Sequence, residues 1–435
     1  MGAKWLVVSL VTFMAGAGAA PAEAWTTTRV SVGPGGIQSN GSSVVNAISA
    51  DGRFVAFSSA ASNLIAGDHN GEEDVFLRDL VRGETYLIST STGGLQGNDL
   101  SENPAVSADG RFVCFDSSAS NLVPGDTNGD YDVFLRDRAR STTMRINLRP
   151  GGHQSKGSVF KCDISSDGRL VAFDAEASRL VPDDTNNEMD IFIYDRVTKK
   201  VERVNLGNRG QQARGGYSIL PSISASGRFV AFQSIANNLV AEAVGPGANI
   251  YVRDRQENKT IRVSRGLGGA PIDVGSSNPA ISADGRFVAF DSNSTNLVPG
   301  DTNDIDDVFV YDLQTGRTTR VSVATDGQQG NSDSGYPSIS ADGRFVVFHS
   351  YATNLVPGDT NDAVDVFLHD CRTGVTSRVS VSSSGAQANG DSSYHFAISP
   401  RGDKVAFISD ATNLVPGDTN GKTDVFLRQL SRPPM

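Results

Sequence analysis

Histidine, cysteine and long apolar segments are scarce in this sequence, and each scarcity excludes a class of function. Five histidines are spread over 435 residues, and no two have the His-x-x-x-His spacing typical of zinc ligands. No Gly-x-Ser-x-Gly segment is present, which argues against a serine hydrolase of the α/β type. The net charge is -11 and the charges are dispersed, so a nucleic-acid partner is not expected.

The one long apolar segment lies at the start of the chain. Lys4 precedes the stretch WLVVSLVTFMAGAGAA, and Ala22-Glu23-Ala24 has the small-x-small pattern of a cleavage site. We therefore expect residues 1–24 to be a signal peptide that is removed after Ala24, which makes the protein secreted or periplasmic. No later segment approaches the ~18 apolar residues of a membrane helix, so stable membrane insertion is not expected.

The cysteines do not suggest a disulfide framework. Three are present, an odd number for an exported chain. Cys371 lies in a predicted turn, whereas Cys114 and Cys162 look like replacements within a repeat. Other copies have Ala or Val at the first of these positions and mostly Pro at the second. We expect free thiols, with a Cys114–Cys162 disulfide between neighbouring repeats as the alternative.

A turn of the Ser-Ala-Asp-Gly type recurs along the chain at nearly constant spacing. Its glycine returns every 58 or 59 residues, at Gly52, Gly110, Gly168, Gly227, Gly285, Gly343 and Gly402. Each copy reads as four short strands, exemplified by SNPAIS (277–282), RFVAF (286–290), DVFVYD (307–312) and TTRVSV (318–323). Seven such copies predict an all-β fold, a seven-bladed propeller of four-stranded antiparallel blades.

The two ends of the chain indicate how the ring closes. The seventh copy has only its first three strands, while TTRVSV at 27–32 repeats the fourth strand of the fifth copy letter for letter. We predict that this N-terminal strand completes the seventh blade, because closure removes an exposed sheet edge. Residues 25–435 then form a single domain, and we expect a monomer.

The blade pattern resembles that of TolB-like and WD-like β-propeller repeats. Those repeats share S-x-D-G-(K/R)-hydrophobic-A-F, then D-(V/I)-(F/Y)-hydrophobic-x-D, then T-G. SADGRFVAF (282–290) and DVFVYDLQTG (307–316) carry this pattern, and partial matches in all copies cover residues 27–430. The resemblance implies the propeller fold. It does not imply a role in the Tol complex, because the N-terminal α/β domain of TolB is missing from this sequence.

The long loop between the second and third strands carries Asp-x-Asn-x-x-x-Asp in six copies. The motif residues are Asp68/Asn70/Asp74, Asp126/Asn128/Asp132, Asp184/Asn186/Asp190, Asp301/Asn303/Asp307, Asp359/Asn361/Asp365 and Asp418/Asn420/Asp424. Such oxygens at positions 1, 3 and 7 are typical of a calcium loop. The alternative is an Asx turn in which they bond to nearby amides. The fourth copy has Asn249 at the last position and is expected to bind no metal.

These loops are predicted to share a face with the crossings between blades, which carry a recurrent glutamine, as in GGLQGN (93–98). We predict an exported, non-catalytic binding or scaffold propeller that recognises a protein or glycan through this Asp/Asn/Gln-rich face. Calcium is its candidate cofactor.

The alternative function is a metal-assisted polysaccharide lyase, or another carbohydrate-active enzyme, on the same scaffold. Its candidate residues are His153, His349 and His395, provided that they converge near the central channel. The outer-strand arginines, such as Arg29, Arg145 and Arg320, are expected to be solvated and to pair at most with acids like Asp312.

Overall fold

The predicted propeller is confirmed. The computed structural model describes residues 24–176, 179–392 and 394–431, which form a ring of seven four-stranded antiparallel sheets. Apart from Ala24, the predicted signal peptide lies outside the described residues. No helix among the residues that the structure describes is long and apolar enough to cross a membrane.

Each four-stranded sheet is one blade, and in blades 1 to 6 its strands follow one another in chain order. Blade 1 consists of β2 (Ser43–Ile48), β3 (Phe54–Ser59), β4 (Asp74–Asp79) and β5 (Glu84–Leu87). Blade 2 consists of β6 (Ser101–Val106), β7 (Phe112–Ser117), β8 (Asp132–Asp137) and β9 (Thr142–Arg145). A ribbon of β10 (Leu148–Arg149) and β11 (His153–Gln154) follows, and then blade 3 with β12 (Val159–Ile164), β13 (Leu170–Ala175), β14 (Asp190–Asp195) and β15 (Lys200–Arg203).

The remaining blades repeat this arrangement. Blade 4 consists of β16 (Ser218–Ile223), β17 (Phe229–Ser234), β18 (Asn249–Asp254) and β19 (Lys259–Arg262). Blade 5 consists of β20 (Ser276–Ile281), β21 (Phe287–Ser292), β22 (Asp307–Asp312) and β23 (Arg317–Arg320). Blade 6 consists of β24 (Ser334–Ile339), β25 (Phe345–Ser350), β26 (Asp365–Asp370) and β27 (Val375–Arg378). Blade 7 has β28 (Phe396–Ile398), β29 (Lys404–Ser409) and β30 (Asp424–Ser431), and short 3-10 turns occur at Pro34–Gly36 and Leu267–Gly269.

An N-terminal strand closes the ring, as predicted, although it spans residues 24–29 and not 27–32. β1 (Ala24–Arg29) pairs antiparallel with β30, from Arg29 opposite Phe426 to Ala24 opposite Ser431. It is the outermost strand of blade 7, whose order is β1-β30-β29-β28. The first and last parts of the ring are therefore held together by a full strand pairing, and the seventh blade has no missing strand.

The first strand of every blade contacts the first strand of the next blade, so these strands enclose a central channel. In blades 1 to 6 a β-bulge interrupts the pairing of the first strand with the second. One extra residue is accommodated at each bulge, which bends the strand and redirects a side chain. The bulges therefore determine which side chains enter the channel.

Aromatic rings pack the blades against each other. Phe57 of β3 stacks on Phe76 of β4 with 5.7 Å between ring centroids, and every other blade repeats such a pair. Phe54 covers the turn glycine of the next blade, so that a Cβ on Gly110 would lie 2.2 Å from its Cδ2 atom. The Asp-Gly turn thus needs glycine for its positive φ and for contact with the neighbouring blade.

The expectation of free thiols at Cys114 and Cys162 is wrong. The structure joins them in a disulfide between β7 of blade 2 and β12 of blade 3, with Cα atoms 6.4 Å apart. Packing of neighbouring blades brings the two positions together, although they are 48 residues apart in sequence. Cys371 is a free, exposed cysteine.

On the face of the Asp-Gly turns, an arginine clamps the end of the third strand in blades 1 to 6. In blade 5, Arg286 donates from Nε and Nη2 to the two carboxylate oxygens of Asp312, at 2.9 and 2.8 Å. This bidentate contact lowers the pKa of Asp312 to about 2. The partner of Asp312 is therefore the arginine after its own blade's turn, and not an arginine of the outer strand.

Candidate functional site

The long loops between the second and third strands lie on the same face of the ring as the crossings between blades. The loop at 118–131 and the crossing at 93–98 are an example. We call this side of the ring the loop face. In blade 2, Asn128 donates from Nδ2 to Asp132 and accepts from the amide of Asp130, at 3.3 and 3.4 Å. The last Asp of the motif is at most 1% exposed in all six loops. The motif thus forms an Asx-type turn over a buried carboxylate.

The motif asparagines of the other five loops make the same contacts. Each donates from Nδ2 to the last Asp of its own motif, at 2.9 to 3.5 Å, in the pairs Asn70–Asp74, Asn186–Asp190, Asn303–Asp307, Asn361–Asp365 and Asn420–Asp424. Each Nδ2 also donates to a backbone carbonyl of a crossing between blades, at 3.0 to 3.3 Å. The nitrogen of the amide, and not its oxygen, therefore faces the buried carboxylate.

The asparagine oxygens of these loops make the contacts of an Asx turn. The Oδ1 atoms of four of them accept the amide two residues further on, at 3.1 to 3.3 Å, in Asn70, Asn186, Asn361 and Asn420. The Oδ1 atom of Asn303 is buried without a partner. An oxygen that accepts an amide hydrogen in this way serves the Asx turn, which is the alternative interpretation of the motif.

An arginine of the outer strand lies between the two motif carboxylates in five of the six loops. In blade 2, Nη1 of Arg145 is 2.9 Å from both Asp126 and Asp132, and all three side chains are at most 7% exposed. The equivalent arginines are Arg29, Arg203, Arg320 and Arg378. The expectation of solvated arginines is therefore wrong, because the outer strand ends beneath the loop of its own blade.

A glutamine from the crossing to the next blade holds each of these loops from the other side. Gln154 donates to Asp126 at 2.9 Å, and Gln387 donates to Asp359 at 2.9 Å. Gln212 makes the same contact with Asp184 at 3.2 Å, although its GQQAR segment lacks the double glycine that marks most of the other crossings. Loop and crossing are thereby joined from one blade to the next.

Blade 1 is the exception among the six motif loops. Leu87 stands where the other blades have arginine, so no guanidinium separates Asp68 from Asp74. Gln96 reaches both instead, donating to Asp68 at 2.7 Å and to Asp74 at 2.6 Å. Asp68 is 6% exposed and Asp74 is 0% exposed. Burial raises the pKa of Asp74, as expected for a carboxylate without a cationic partner.

Blade 4 shows the reverse departure. Its loop has Asn249 in place of the last Asp, but the outer-strand arginine is retained as Arg262, which is 3% exposed. Arg262 donates to the backbone carbonyl of Ala243 at 2.5 Å and to those of Gly269 and Ala270. The guanidinium position is thus kept even where the carboxylates are lost.

Burial and neighbouring hydrogen-bond donors act in opposite directions on the pKa of the buried carboxylates in these loops. Burial raises the pKa of Asp307 and Asp365, while donors such as Ser322 and Ser380 lower it again. Among the described residues, no group of three His, Cys, Asp or Glu side chains has an arrangement suited to a metal ion.

The central channel is a second candidate site, with a volume of about 370 Å³. Three tyrosines cluster at its mouth, where Tyr351 begins the loop after β25. Tyr336 and Tyr394 line the channel, and their ring centroids are 5.4 Å apart in an edge-to-face arrangement. The hydroxyl groups of Tyr351 and Tyr394 are 2.6 Å apart. This cluster, Tyr336, Tyr351 and Tyr394, is called the tyrosine cluster below.

The candidate histidines do not share one pocket. His395 lines the channel, and burial, assisted by the charge of Lys161, lowers its pKa. His349 is 4% exposed and lies under the tyrosine cluster, with its ring centroid 4.8 Å from that of Tyr394. His153 lies on β11 and lines a separate pocket with Arg149 and Lys156. The tyrosine cluster was not predicted from the sequence. Its one visible signal is Tyr351, because no other copy has an aromatic residue at this position.

Fold and site together define a closed, seven-bladed β-propeller with a polar loop face and an aromatic channel mouth. No protein-family model and no curated protein matches the sequence. Among solved structures, an oligogalacturonate lyase in complex with manganese matches at 13% identity and a TM-score of 0.57, covering 93% of each chain. The β-propeller domain of the Trilobed protease from Pyrococcus furiosus matches at 10% identity and a TM-score of 0.55. The match covers 89% of this chain and 97% of that one.

TolB from Acinetobacter baumannii also matches, at 15% identity and a TM-score of 0.42, over 77% of this chain. The chain spans 62% of the length of that TolB. The identities of 10 and 13% to the protease propeller and the lyase show the propeller fold alone. The predicted propeller fold is thus shared with known structures, and function has to be argued from the residues of this chain.

Proposed function

We propose that this chain is an exported, non-catalytic binding propeller that recognises a protein or glycan ligand through its loop face. Export is inferred from the signal-peptide pattern at residues 1–24, and the Cys114–Cys162 disulfide agrees with an oxidising compartment. Sequencing the N-terminus of the secreted or periplasmic protein tests this part. We expect Trp25 as the first residue, whereas an uncleaved chain in the cytoplasm would contradict export.

The observation that carries the proposal is the repeated bracing of the loop face. Beyond the Asp–Arg–Gln contacts, an exposed asparagine in the crossing joins the loop of the blade that follows. Asn98 donates from Nδ2 to Ser120 at 3.0 Å and accepts from the Ser120 amide at 2.9 Å. Asn331 and Asn389 make the same contacts with Thr353 and Thr412. Exposed polar groups on a braced scaffold lose little freedom on binding, which favours recognition.

The loop face can be tested against the opposite face. The chain is immobilised, and retention of envelope glycans and exported proteins on it is measured. A variant with Asn98→Ser, Asn331→Ser and Asn389→Ser is expected to lose this retention. The matched control carries Gln256→Ser, Gln314→Ser and Arg372→Ser in exposed turns of the opposite face, and it should retain what the wild type retains. Equal retention by both variants would contradict recognition through the loop face.

Calcium is part of the proposal in one place only, the loop of blade 1. In five loops an arginine takes the position between the two carboxylates, whereas Asp68 and Asp74 have no cationic partner there. Asn70 is not among the expected ligands, because its Oδ1 atom accepts the Glu72 amide.

Thermal unfolding tests the calcium site of blade 1. Millimolar calcium against EDTA should show a stabilising shift for one site. Leu87→Arg would insert the missing guanidinium and should abolish that shift. A shift that survives Leu87→Arg, or no shift in the wild type, would exclude calcium at this loop.

The metal-assisted lyase remains a second candidate, because His349 has an unpartnered Nδ1 beside the channel that His395 lines. An oligogalacturonate lyase in complex with manganese is among the structures whose fold is similar to that of this chain. A lyase would release unsaturated sugars that absorb ultraviolet light when oligogalacturonate and Mn²⁺ are supplied. We expect no such signal. A signal that disappears in His349→Gln or His395→Gln would overturn the non-catalytic proposal.

A further inference from the structure

Two residues of the tyrosine cluster occupy a backbone conformation that tyrosine rarely adopts. Tyr336 and Tyr394 have φ of 53° and 51°. In blades 2 and 5 the same position is held by Asn103 and Asn278, with φ of 52° and 51°. Asparagine tolerates this left-handed region, whereas a bulky side chain is strained in it. The backbone thus requires a left-handed residue here but no aromatic ring, and such strain is concentrated at functional sites.

The three rings are only partly covered by protein. Tyr336, Tyr351 and Tyr394 are 44%, 44% and 43% exposed, although they contact one another and the buried His349. Aromatic side chains of this size are usually buried or serve in contacts with a partner. The cluster therefore offers apolar ring surface and tyrosine hydroxyl groups at the mouth of the channel.

Two polar atoms near the channel lack partners within the chain. Nδ1 of His349 has no hydrogen-bond partner, and this side chain is 4% exposed. The Oδ1 atom of Asn46, which lines the same channel, is also without a donor. Buried polar atoms of native proteins are nearly always hydrogen-bonded, so the chain leaves hydrogen-bonding capacity unused on this side of the channel.

The charges around the cluster select against an anionic ligand. Asp333 and Asp391 lie near Tyr351, whose pKa rises to about 12, chiefly through its hydrogen bond with Tyr394. Burial lowers the pKa of His349 to about 4, so this imidazole is neutral at pH 7. Among the described residues that line the channel, Lys161 is the one lysine or arginine. A ligand with carboxylates would therefore meet more repulsion than attraction at the tyrosine cluster.

We propose that the tyrosine cluster binds an uncharged saccharide, with the apolar face of a sugar ring against Tyr336 and Tyr394. Its hydroxyl groups exchange hydrogen bonds with the tyrosine hydroxyls. This inference rests on the proposed binding function and deepens it, because it names a neutral glycan as the ligand and places it at the channel mouth.

Titration calorimetry with the purified full chain tests the site directly. The probes are cellohexaose, maltohexaose and chitohexaose, with trigalacturonic acid as the anionic comparison. Replacing Tyr336→Asn and Tyr394→Asn together should weaken binding of a neutral hexaose roughly tenfold or more, since two ring contacts are lost. The variant should unfold no earlier than the wild type, because asparagine suits the left-handed backbone.

Leu220→Asn provides the matched control. Leu220 has φ of 56° at the same bulge position in blade 4, so the change relieves the same strain outside the tyrosine cluster. We expect it to leave hexaose affinity unchanged.

Three results would overturn the inference. They are the absence of binding by all neutral hexaoses at about 10 mM, equal affinity in the double tyrosine variant, or tighter binding of trigalacturonic acid. In each of these cases, retention of a protein that depends on Asn98, Asn331 and Asn389 but not on the tyrosines would show that the proposed loop-face function still holds.

Discussion

Replacing Arg145 with leucine tests whether the buried ion pairs stabilise the loop face. Leucine is the residue that blade 1 has naturally at this position, as Leu87, so the side chain is compatible with the strand. The variant removes a guanidinium that is 2.9 Å from both Asp126 and Asp132. Two carboxylates then remain in a buried site without their cation.

The expected loss follows from the burial of the partners. Removing one member of a buried ion pair costs about 3–5 kcal/mol, because the remaining charge is desolvated and unpaired. Gln96 shows how blade 1 compensates, since it donates to both carboxylates, whereas Gln154 donates only to Asp126. Rotation of Gln154 would recover part of the loss, so we expect about 3 kcal/mol.

Thermal unfolding of wild type and Arg145→Leu gives the size of the effect. With an unfolding entropy of about 2.1 cal/mol/K per residue and about 400 ordered residues, a loss of about 3 kcal/mol lowers Tm by about 3–4 °C at neutral pH. Denaturation with guanidinium chloride at several pH values then separates the electrostatic part of the loss from the packing part. Only the electrostatic part depends on protonation of the carboxylates.

The pH dependence has a definite sign. Burial already raises the pKa of Asp126 in the wild type, against the charge of Arg145, which lowers it. Without Arg145 this pKa rises further above the unfolded value of about 3.9. A carboxyl whose pKa is raised on folding costs stability above its folded pKa, and that cost disappears as the pH falls below it. The deficit of the variant should therefore be largest near pH 7 and shrink towards pH 4.

Two results would refute this reasoning. A variant within ~0.5 kcal/mol of the wild type at pH 7, which is the usual range of surface changes, would mean that the ion pair is neutral for stability. A deficit that stays constant between pH 7 and pH 4 would assign the loss to packing. Leu87→Arg in blade 1 is the reciprocal control and should raise Tm.

Three further predictions concern the rest of the ring. Cys114→Ala with Cys162→Ala should lower the unfolding free energy by about 4 kcal/mol, the entropy of closing a loop of this length, and a reductant should no longer change the denaturant midpoint of that variant. Gly300→Ala should cost about 1 kcal/mol in thermal unfolding through its φ of 75° alone. Gly285→Ala should cost more, because its Cβ would also lie 2.2 Å from a phenylalanine of the neighbouring blade. Asp312→Asn should cost about 0.5–1 kcal/mol at pH 7, since its arginine partner is half exposed. That difference should vanish as the pH falls from about 4 towards 2, because the pKa of Asp312 is lowered to about 2.

The architecture could be predicted because its determinants are local and repeated. The Asp-Gly turns at a constant period, the alternating outer strand and the continuously apolar second strand each follow from side-chain period and turn chemistry. The match of 27–32 to 318–323 was sufficient to predict closure, since only one strand was missing and only one spare strand existed. The loop motif and the crossing glutamines were likewise visible as repeats.

The partners of those residues could not be predicted in the same way. Arg145 and Arg320 alternate with apolar residues, which predicts an exposed row, yet the loop of the same blade folds over the end of the strand and buries them. Cys114 and Cys162 looked like isolated replacements, because a sequence does not reveal which positions of neighbouring blades oppose each other. The tyrosine cluster unites residues from two blades through a bulge that has no clear sequence signal.

The sequence by itself therefore determined the number of blades, their strands, the closure of the ring and the side on which the Asp-x-Asn-x-x-x-Asp loops lie. The tertiary structure alone decided that arginines occupy five of these loops, that the loop of blade 1 has none, and that three tyrosines meet above His349. The physical reason is the distance along the chain over which each effect acts. Strand period and turn chemistry act over a few neighbouring residues, whereas burial, charge pairing and strain arise between residues that only the closed ring brings together.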